Sequence, residues 1–335
     1  MKIIIPMAGR GSRLRPHTLT IPKPLIPVAG KPIVQRIVED LSAALDEKVE
    51  EVAFIIGDFG AEAERQLQKV AESIGAKCSI YYQDTPLGPG HAVLCAKPSL
   101  SGHCLVAFAD TLFKANFTFD PREDGIIWVQ KVEDPSSFGV VKVNEVNIIT
   151  DFVEKSPTFV SDLAIVGIYY FNDGARLRDT LQKMVDDDIT DKGEYQLTSA
   201  LEILKESGVK FRAGRIEEWL DCGNKDNVLA TNQRILELKA HSETLVASNI
   251  TKQNAVIIPP CYIGEGAVIS NSVIGPYVSL GNNSTVEDSV ISNSVIQNNT
   301  KIHHANLSNS MLGNEVEYHG EKSELSIGDF SEYRF

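Results

Sequence analysis

The chain opens on Lys2-Ile3-Ile4-Ile5-Pro6-Met7-Ala8-Gly9-Arg10-Gly11-Ser12-Arg13-Leu14-Arg15-Pro16-His17-Thr18. Its first five residues read as a buried strand. A turn with two glycines and three arginines follows at once. Such a turn lets backbone N–H groups come close to phosphate oxygens. It is not a dinucleotide fingerprint, because the third glycine is missing and Arg15-Pro16 keeps a helix from starting there. Nor is it a P-loop, since no Gly-Lys-Ser/Thr follows. The next landmark is Pro22-Lys23-Pro24, a lysine presented on backbone stiffened by its two neighbours. Arginine offers phosphate a planar fork and lysine a point charge. Residues 1–38 hold Lys2, Arg10, Arg13, Arg15, Lys23, Lys31 and Arg36 and no acid, in a chain whose net charge is −13. A basic island on an acidic protein points to an anionic small ligand. The acidic balance argues against nucleic acid or a membrane surface as partner.

Outward from this stretch, strands alternate with helices. Glu51–Gly57, Lys77–Gln83 and Cys104–Ala109 read as strands, the last ending at Asp110. Lys31–Leu45, Ala61–Ile74 and a start at Gly90 read as helices. This alternation predicts a mixed, mostly parallel sheet with helices on both faces. Strands then crowd together at Gly125–Val132, Phe138–Val143, Asn147–Val153 and Ala164–Phe171. Helices are expected near Ala175–Val185, Tyr195–Glu206 and Asn224–Ala240. The 335 residues suit two domains. No run of about 18 apolar residues exists to span a bilayer. The N-terminal apolar run is too short for the core of a signal peptide, so the expected location is cytoplasmic. Five scattered cysteines without C-x-x-C spacing give neither a disulfide framework nor a zinc site.

The composition changes near Thr244, where Asn, Ser and Gly become frequent. Ile257, Ile263, Ile269, Ile274, Leu280, Val286 and Ile291 recur at steps of five or six. Three steps return to one face, as from Ile257 to Ile274 to Ile291. Ser-Val-Ile recurs from Ser272, Ser289 and Ser294. This period predicts a solenoid, a parallel β-helix of triangular section, over residues 241–335, with a separate α/β domain over 1–240. The open strand edges of a β-helix must be capped or paired, which predicts a homo-oligomer.

The opening motif resembles the signature of the sugar nucleotidyltransferases, Gly-x-Gly-x-Arg-Leu-x-Pro-x-Thr, then Pro-Lys-Pro and Gly-Lys-Pro. This chain supplies Gly9, Gly11, Arg13, Leu14, Pro16, Thr18, Lys23 and Gly30-Lys31-Pro32. It departs at Arg10, where the family has a second glycine. Gln83-Asp84-Thr85-Pro86-Leu87-Gly88 resembles the family's base-recognition segment. Asp110 resembles a metal-binding aspartate, and Trp219-Leu220-Asp221-Cys222-Gly223 the motif whose Asp is the second metal ligand. Phe138-Gly139, Phe152-Val153-Glu154-Lys155 and the strand through Val166 resemble the sugar-phosphate half of the site. Glu194-Tyr195-Gln196-Leu197-Thr198 resembles a Glu-x-x-x-Thr-Asp pattern in which Ser199 replaces the Asp. Long members of the family carry a left-handed β-helix after a Rossmann-like domain.

The resemblance implies a nucleotidyl transfer from an NTP to a sugar 1-phosphate, with Mg²⁺ as cofactor and release of pyrophosphate. It assigns Arg13 and Lys23 to catalysis, and Ala8, Gly9, Arg10, Gly11, Gln83 and Gly88 to the nucleotide. Gly139, Glu154, Lys155 and Val166 fall to the sugar phosphate, and Asp110 and Asp221 to the metal. The overall layout most resembles glucose-1-phosphate thymidylyltransferases, using dTTP, with UTP or a guanylyl donor as alternatives. An acyltransferase in the tail would need a general base, for which His303, His304 or His319 are the candidates; the expected reading is solvated turn histidines on an irregular coil and a tail that serves structure or assembly. A non-catalytic regulatory subunit would be expected to lose Arg13, Lys23 or Asp110, all of which are present.

Overall fold

The protein is described by a computed structural model covering residues 1–9, 11–114 and 120–321. Arg10 lies outside the described residues. The chain divides into two compact units: Met1–Ile26 with Lys31–Val228, and Pro27–Gly30 with Leu229–Phe335.

In chain order the elements that build the first unit, with the turn segment it brackets, are β1 (Lys2–Pro6), β2 (Pro27–Val28), β3 (Lys31–Pro32), α1 (Ile33–Ala44), β4 (Glu51–Ile56), α2 (Gly60–Ser73), β5 (Lys77–Tyr82), α3 (Pro89–Cys95) and β6 (Cys104–Ala107). There follow β7 (Thr111–Lys114), β8 (Gly125–Lys131), β9 (Gly139–Val143), β10 (Ile149–Glu154), β11 (Leu163–Phe171), α4 (Gly174–Asp186), α5 (Leu197–Glu206), β12 (Phe211–Arg215) and β13 (Glu218–Asp221). A sixth helix, α6 (Lys225–Lys239), leads into the repeats.

The main sheet runs β10-β9-β11-β6-β1-β4-β5, with β8 and β12 branching from β11. Strands β6, β1, β4 and β5 are parallel; β11 is antiparallel to β6, β8 and β9. Strands β1, β4 and β6 are buried on both faces, which is why β1 and β4 read as continuous Ile/Val/Phe runs rather than alternating ones, while β5 at the edge is not buried. The chain goes from β1 out to β4 and β5, then returns to lay β6 on the other side of β1. That reversal makes a switch point between β1 and β6, and open α/β sheets bind ligands just beyond the C-terminal ends of the strands there.

Strands β2, β3, β7, β12 and β13 were not expected from the sequence. β7 and β13 form a separate antiparallel pair in which Thr111 lies opposite Asp221. β12 pairs β8 in parallel. The expected strand to Ala109 ends at Ala107, and the Phe108 N–H still donates to the Gly167 carbonyl of β11.

The second unit is the expected left-handed β-helix. Its short strands stack in three parallel sheets, and the turn-to-turn register runs Ile257, Ile274, Ile291 and Leu307 on one of them. Ile263, Leu280, Ile296 and Leu312 form the second interior row, and Ile269, Val286 and Ile302 the third. Each turn thus buries about three apolar side chains, at roughly 1.5–3 kcal/mol apiece. The recurrent serines have a physical reason. Ser272 Oγ accepts the Ser289 N–H, Ser289 Oγ the Ala305 N–H and Ser294 Oγ the Ser310 N–H, so each buried hydroxyl satisfies the next turn's backbone. Asn254, Asn271, Asp288 and His304 hold successive corners in the left-handed region, which Asn and Asp tolerate best. That explains the Asn-rich composition.

Candidate active site

A cavity of about 430 Å³ opens where the topology places it. Pro6, Met7, Ala8 and Gly9 enter from the end of β1, and Phe108, Ala109 and Asp110 from the end of β6. Gly11, Ser12 and Arg13 line one side, with Lys23 and Pro24. Gln83, Pro86, Gly88 and Pro89 line the other, with Ala92 and Glu194. Arg13 and Lys23, expected in catalysis, and Ala8, Gly9, Gly11, Gln83 and Gly88, expected at the nucleotide, therefore share one cavity with Asp110.

The loop geometry follows from its residues. Gly11 sits at φ +60 as the cap of a single 3₁₀ turn, Ser12–Leu14, and a Cβ there would lie 2.7 Å from Lys23 Cβ. Leu14 is buried and anchors the turn, while Arg15 is already extended ahead of Pro16. Thr18 Oγ1 donates to the Gly11 carbonyl and closes the loop. Lys23 begins a second 3₁₀ turn, is buried, and points its Nζ 3.4 Å from Asp110 Oδ2. His17 is held below its ordinary pKa by burial and by the positive charge of Lys225.

On the opposite wall Gln83 Nε2 donates to the Gly88 carbonyl at 3.1 Å and lies 3.1 Å from His91 Nδ1. Gly88 occupies φ +111 and packs so tightly that a Cβ would meet Tyr195 backbone atoms at 2.8 and 2.9 Å. Only glycine fits.

Asp221 is not part of the cavity lining. Its Oδ1 accepts the Gly223 N–H at 2.8 Å, and its Oδ2 accepts from Asn227 Nδ2. The β7–β13 pairing and the bond from the Cys222 N–H to the Asp110 carbonyl, 3.1 Å, nonetheless bring the two aspartates onto neighbouring segments. Trp219 supports this pair, with Nε1 3.3 Å from Thr111 Oγ1 and its ring against Phe138.

Gly139, Glu154 and Lys155 form a second group. Gly139 and Glu154 are opposite each other on β9 and β10. A Cβ on Gly139 would lie 2.8 Å from Glu154 Oε2, which also accepts from Thr198 Oγ1 at 3.1 Å. Lys155 adopts φ +41 and places Nζ 3.5 Å from Glu154 Oε1. Val166 lies where the register of β11 shifts between Ile165 and Tyr169, a bulge of the kind that re-aims side chains beside sites. Tyr169, which sequence reasoning did not single out, ties the two groups together. Burial drives its hydroxyl well above the ordinary range, and the Glu154 and Asp110 carboxylates push it further.

Residues 2–237 match the family model described as nucleotidyl transferase. The chain belongs to the nucleotidyl transferase family. It is 32% identical over 341 residues to the low-salt glycan biosynthesis nucleotidyltransferase Agl11 of Haloferax volcanii, covering 93% of this chain and 92% of that one. It is 30% identical over 318 residues to a glucose-1-phosphate thymidylyltransferase of Streptomyces antibioticus, covering 88% and 87%. It is 28% identical over 349 residues to the bifunctional protein GlmU of Methanococcus vannielii, covering 95% and 79%. The resemblance read from the motifs is borne out, and this nucleotidyltransferase is an enzyme. Among the described residues no helix is long and apolar enough to cross a membrane, and no group of three or more His, Cys, Asp or Glu could hold a metal. All five cysteines are free.

Proposed function

We propose that the protein transfers a thymidylyl or uridylyl group from dTTP or UTP to glucose 1-phosphate, with dTTP the favoured donor. An oxygen of the sugar phosphate attacks the α-phosphorus in line. The bond from that phosphorus to the β-phosphate bridging oxygen breaks, and pyrophosphate leaves. The attacking phosphate is already ionised at neutral pH, so no general base is needed. The protein's task is to hold two anions together and to stabilise charge on the α-phosphoryl and leaving oxygens.

The observation that carries this reading is the single cavity at the switch point, with Arg13, Lys23 and the Gly9–Gly11 loop on one wall and Gln83 and Gly88 on the other. Arg13 and Lys23 serve the triphosphate, with backbone groups of Ala8, Gly9 and Gly11. Gln83 and Gly88 face the base. Gly139, Glu154, Lys155 and Val166 hold the sugar phosphate, the carboxylate taking sugar hydroxyls and the ammonium the phosphate. Two aspartates on adjoining segments suit Mg²⁺, a hard cation that takes one or two carboxylates and fills its remaining positions with water and phosphate oxygens. Asp110 and Asp221 would hold it. When bound, it neutralises charge on the phosphate oxygens. Relatives named glucose-1-phosphate thymidylyltransferase in two Streptomyces species support the choice of sugar and base.

The test is pyrophosphate release over a matrix of four or five NTPs against several sugar 1-phosphates. The highest kcat/KM is expected for dTTP or UTP with glucose 1-phosphate. A purine donor, or another sugar, giving the highest value would overturn the substrate assignment. No release with any pair would overturn the activity.

A further inference from the structure

We infer that His91 is a positioning residue for base selection: it locks the Gln83 side-chain amide so that its oxygen, not its nitrogen, is offered to the nucleobase. The inference rests on the reading of Gln83 as the residue that faces the base.

A glutamine amide can sit either way round, and the two orientations present opposite hydrogen-bonding faces. Here two groups decide between them. The Gly88 carbonyl accepts at 3.1 Å and can only accept. His91 Nδ1 lies 3.1 Å from the same Nε2, so with a lone pair on Nδ1 it takes the second amide proton. Both N–H groups of Gln83 are then used within the protein. Among the described residues nothing bonds Oε1, and Gln83 lines the cavity, so Oε1 is the atom left for a ligand.

This arrangement requires a neutral His91 with its proton on Nε2. Burial supplies that state by holding the imidazole below its ordinary pKa. The groups around the ring are Gln83, the Cys95 thiol with Sγ 3.9 Å from Nδ1, and the Tyr195 ring at 6.5 Å. None of them places a formal charge on His91. Gly88 caps α3 and His91 follows three residues later inside it, so one short helix and its cap carry both locking groups.

The consequence is chemical. A fixed acceptor matches the imide N–H of thymine or uracil. It faces a lone pair on cytosine N3, which leaves two acceptors opposed. Without His91 the amide keeps only the Gly88 bond and turns more freely, and discrimination against cytosine narrows.

The experiment uses the full chain and compares His91→Leu, His91→Asn and Gln83→Leu with wild type. It measures kcat and KM for dTTP and UTP, and the kcat/KM ratio of each to CTP. Asparagine places an acceptor oxygen near the position of Nδ1; leucine offers none. His91→Leu should raise KM for dTTP and UTP about three- to tenfold, the loss of one hydrogen bond, and lower the ratio to CTP, with kcat within about twofold. His91→Asn should restore most of both. If the leucine variant fails to fold, His91→Ala replaces it at this half-exposed helical position. An unchanged KM and CTP ratio in folded His91→Leu or His91→Ala, while Gln83→Leu shifts both, overturns the positioning role and leaves the base reading intact. A His91→Asn variant no better than His91→Leu overturns it as well. A Gln83→Leu variant with unaltered base discrimination overturns the base reading, and the inference with it.

Discussion

Lys23 is the residue on which the site turns. It is 7% exposed, starts a 3₁₀ turn between two prolines, and has its Nζ 3.4 Å from the Asp110 carboxylate. Asp110 is half open to solvent, so the pair itself adds little to stability. On the proposed function its value is a preorganised charge at the phosphates. Lys23→Ala should lower kcat/KM for pyrophosphate formation by about 10²–10³ and leave the melting temperature nearly unchanged. Near wild-type turnover in a folded variant would remove Lys23 from the phosphates. Asp110→Asn and Asp221→Asn should each abolish most Mg²⁺-dependent turnover, and the double variant should be little worse than either, because two ligands of one ion act as a unit. Additive losses would separate the two aspartates. His17 makes a pH prediction. Its folded pKa is depressed by burial and by Lys225, so its contribution to stability is fully present above about pH 6.5 and is lost as the pH falls through the folded value. The drop in melting temperature between pH 7.5 and 5.5 should be smaller in His17→Gln than in wild type; equal drops would count against this. Arg13 and Lys23 stood out in the sequence because Gly, Pro and Arg in that order leave few uses but anion binding, and both line the cavity. Tyr169 did not, since nothing in a run of Ile-Val-Gly-Ile-Tyr-Tyr separates a core tyrosine from one set between two carboxylates.

At the scale of elements, the turn from β5 into α3 shows how a backbone position sets chemistry. Gly88 caps α3 at φ +111, with Tyr195 N and O within 2.9 Å of where a Cβ would be. Those are backbone atoms and cannot rotate away. Gly88→Ala should therefore destabilise the protein by roughly 1–3 kcal/mol from backbone strain alone and raise KM for the NTP more than it lowers kcat. A variant with wild-type KM and melting temperature would show that the turn adapts. The motif places this glycine in the base-recognition segment, but nothing in it signals Tyr195, which arrives from more than a hundred residues away. The same limit hid β7 and β13. Thr111–Lys114 and Glu218–Asp221 are four residues each, too short for a period to be visible, and they exist because each completes the other. The β-helix was the opposite case. Its period is local, so Ile257, Ile274 and Ile291 could be placed on one face before any coordinate was known, and they stack in register. His303 could not be anticipated in the same way. It was expected as a solvated turn residue, but it bonds Glu287 at 3.1 Å and stacks on the His319 ring at 4.8 Å, because successive turns bring equivalent positions together.

At the scale of the whole molecule the division of the chain carries a functional consequence. A boundary near Ala240 is what composition alone suggests, and a fragment ending there should then be self-sufficient. The second unit, however, includes Pro27–Gly30, a segment only four residues beyond Lys23. Ala29 donates its N–H to Asn232 Oδ1, which also accepts from Ser279 Oγ at 2.7 Å, and Asn232 is fully buried. Gly30 lies so close to the Tyr262 ring that a Cβ would overlap it. A fragment 1–240 keeps Asn232 and Gly30 but loses Ser279 and Tyr262. It thereby opens a buried amide to solvent and strips the cover from the turn that follows Lys23. The lost Ser279–Asn232 hydrogen bond is worth about 0.5–1.5 kcal/mol. The fragment should melt below the full chain and show reduced kcat, since the Pro22-Lys23-Pro24 backbone has lost its downstream anchor. Asn232→Ala in the full chain should reproduce part of both effects, because it removes the acceptor of Ala29 while leaving every repeat in place. Thermal melts and initial rates of pyrophosphate release on the three proteins decide the matter. A fragment with full-length turnover and melting temperature would mean that the β-helix contributes nothing to the lysine loop and serves assembly alone.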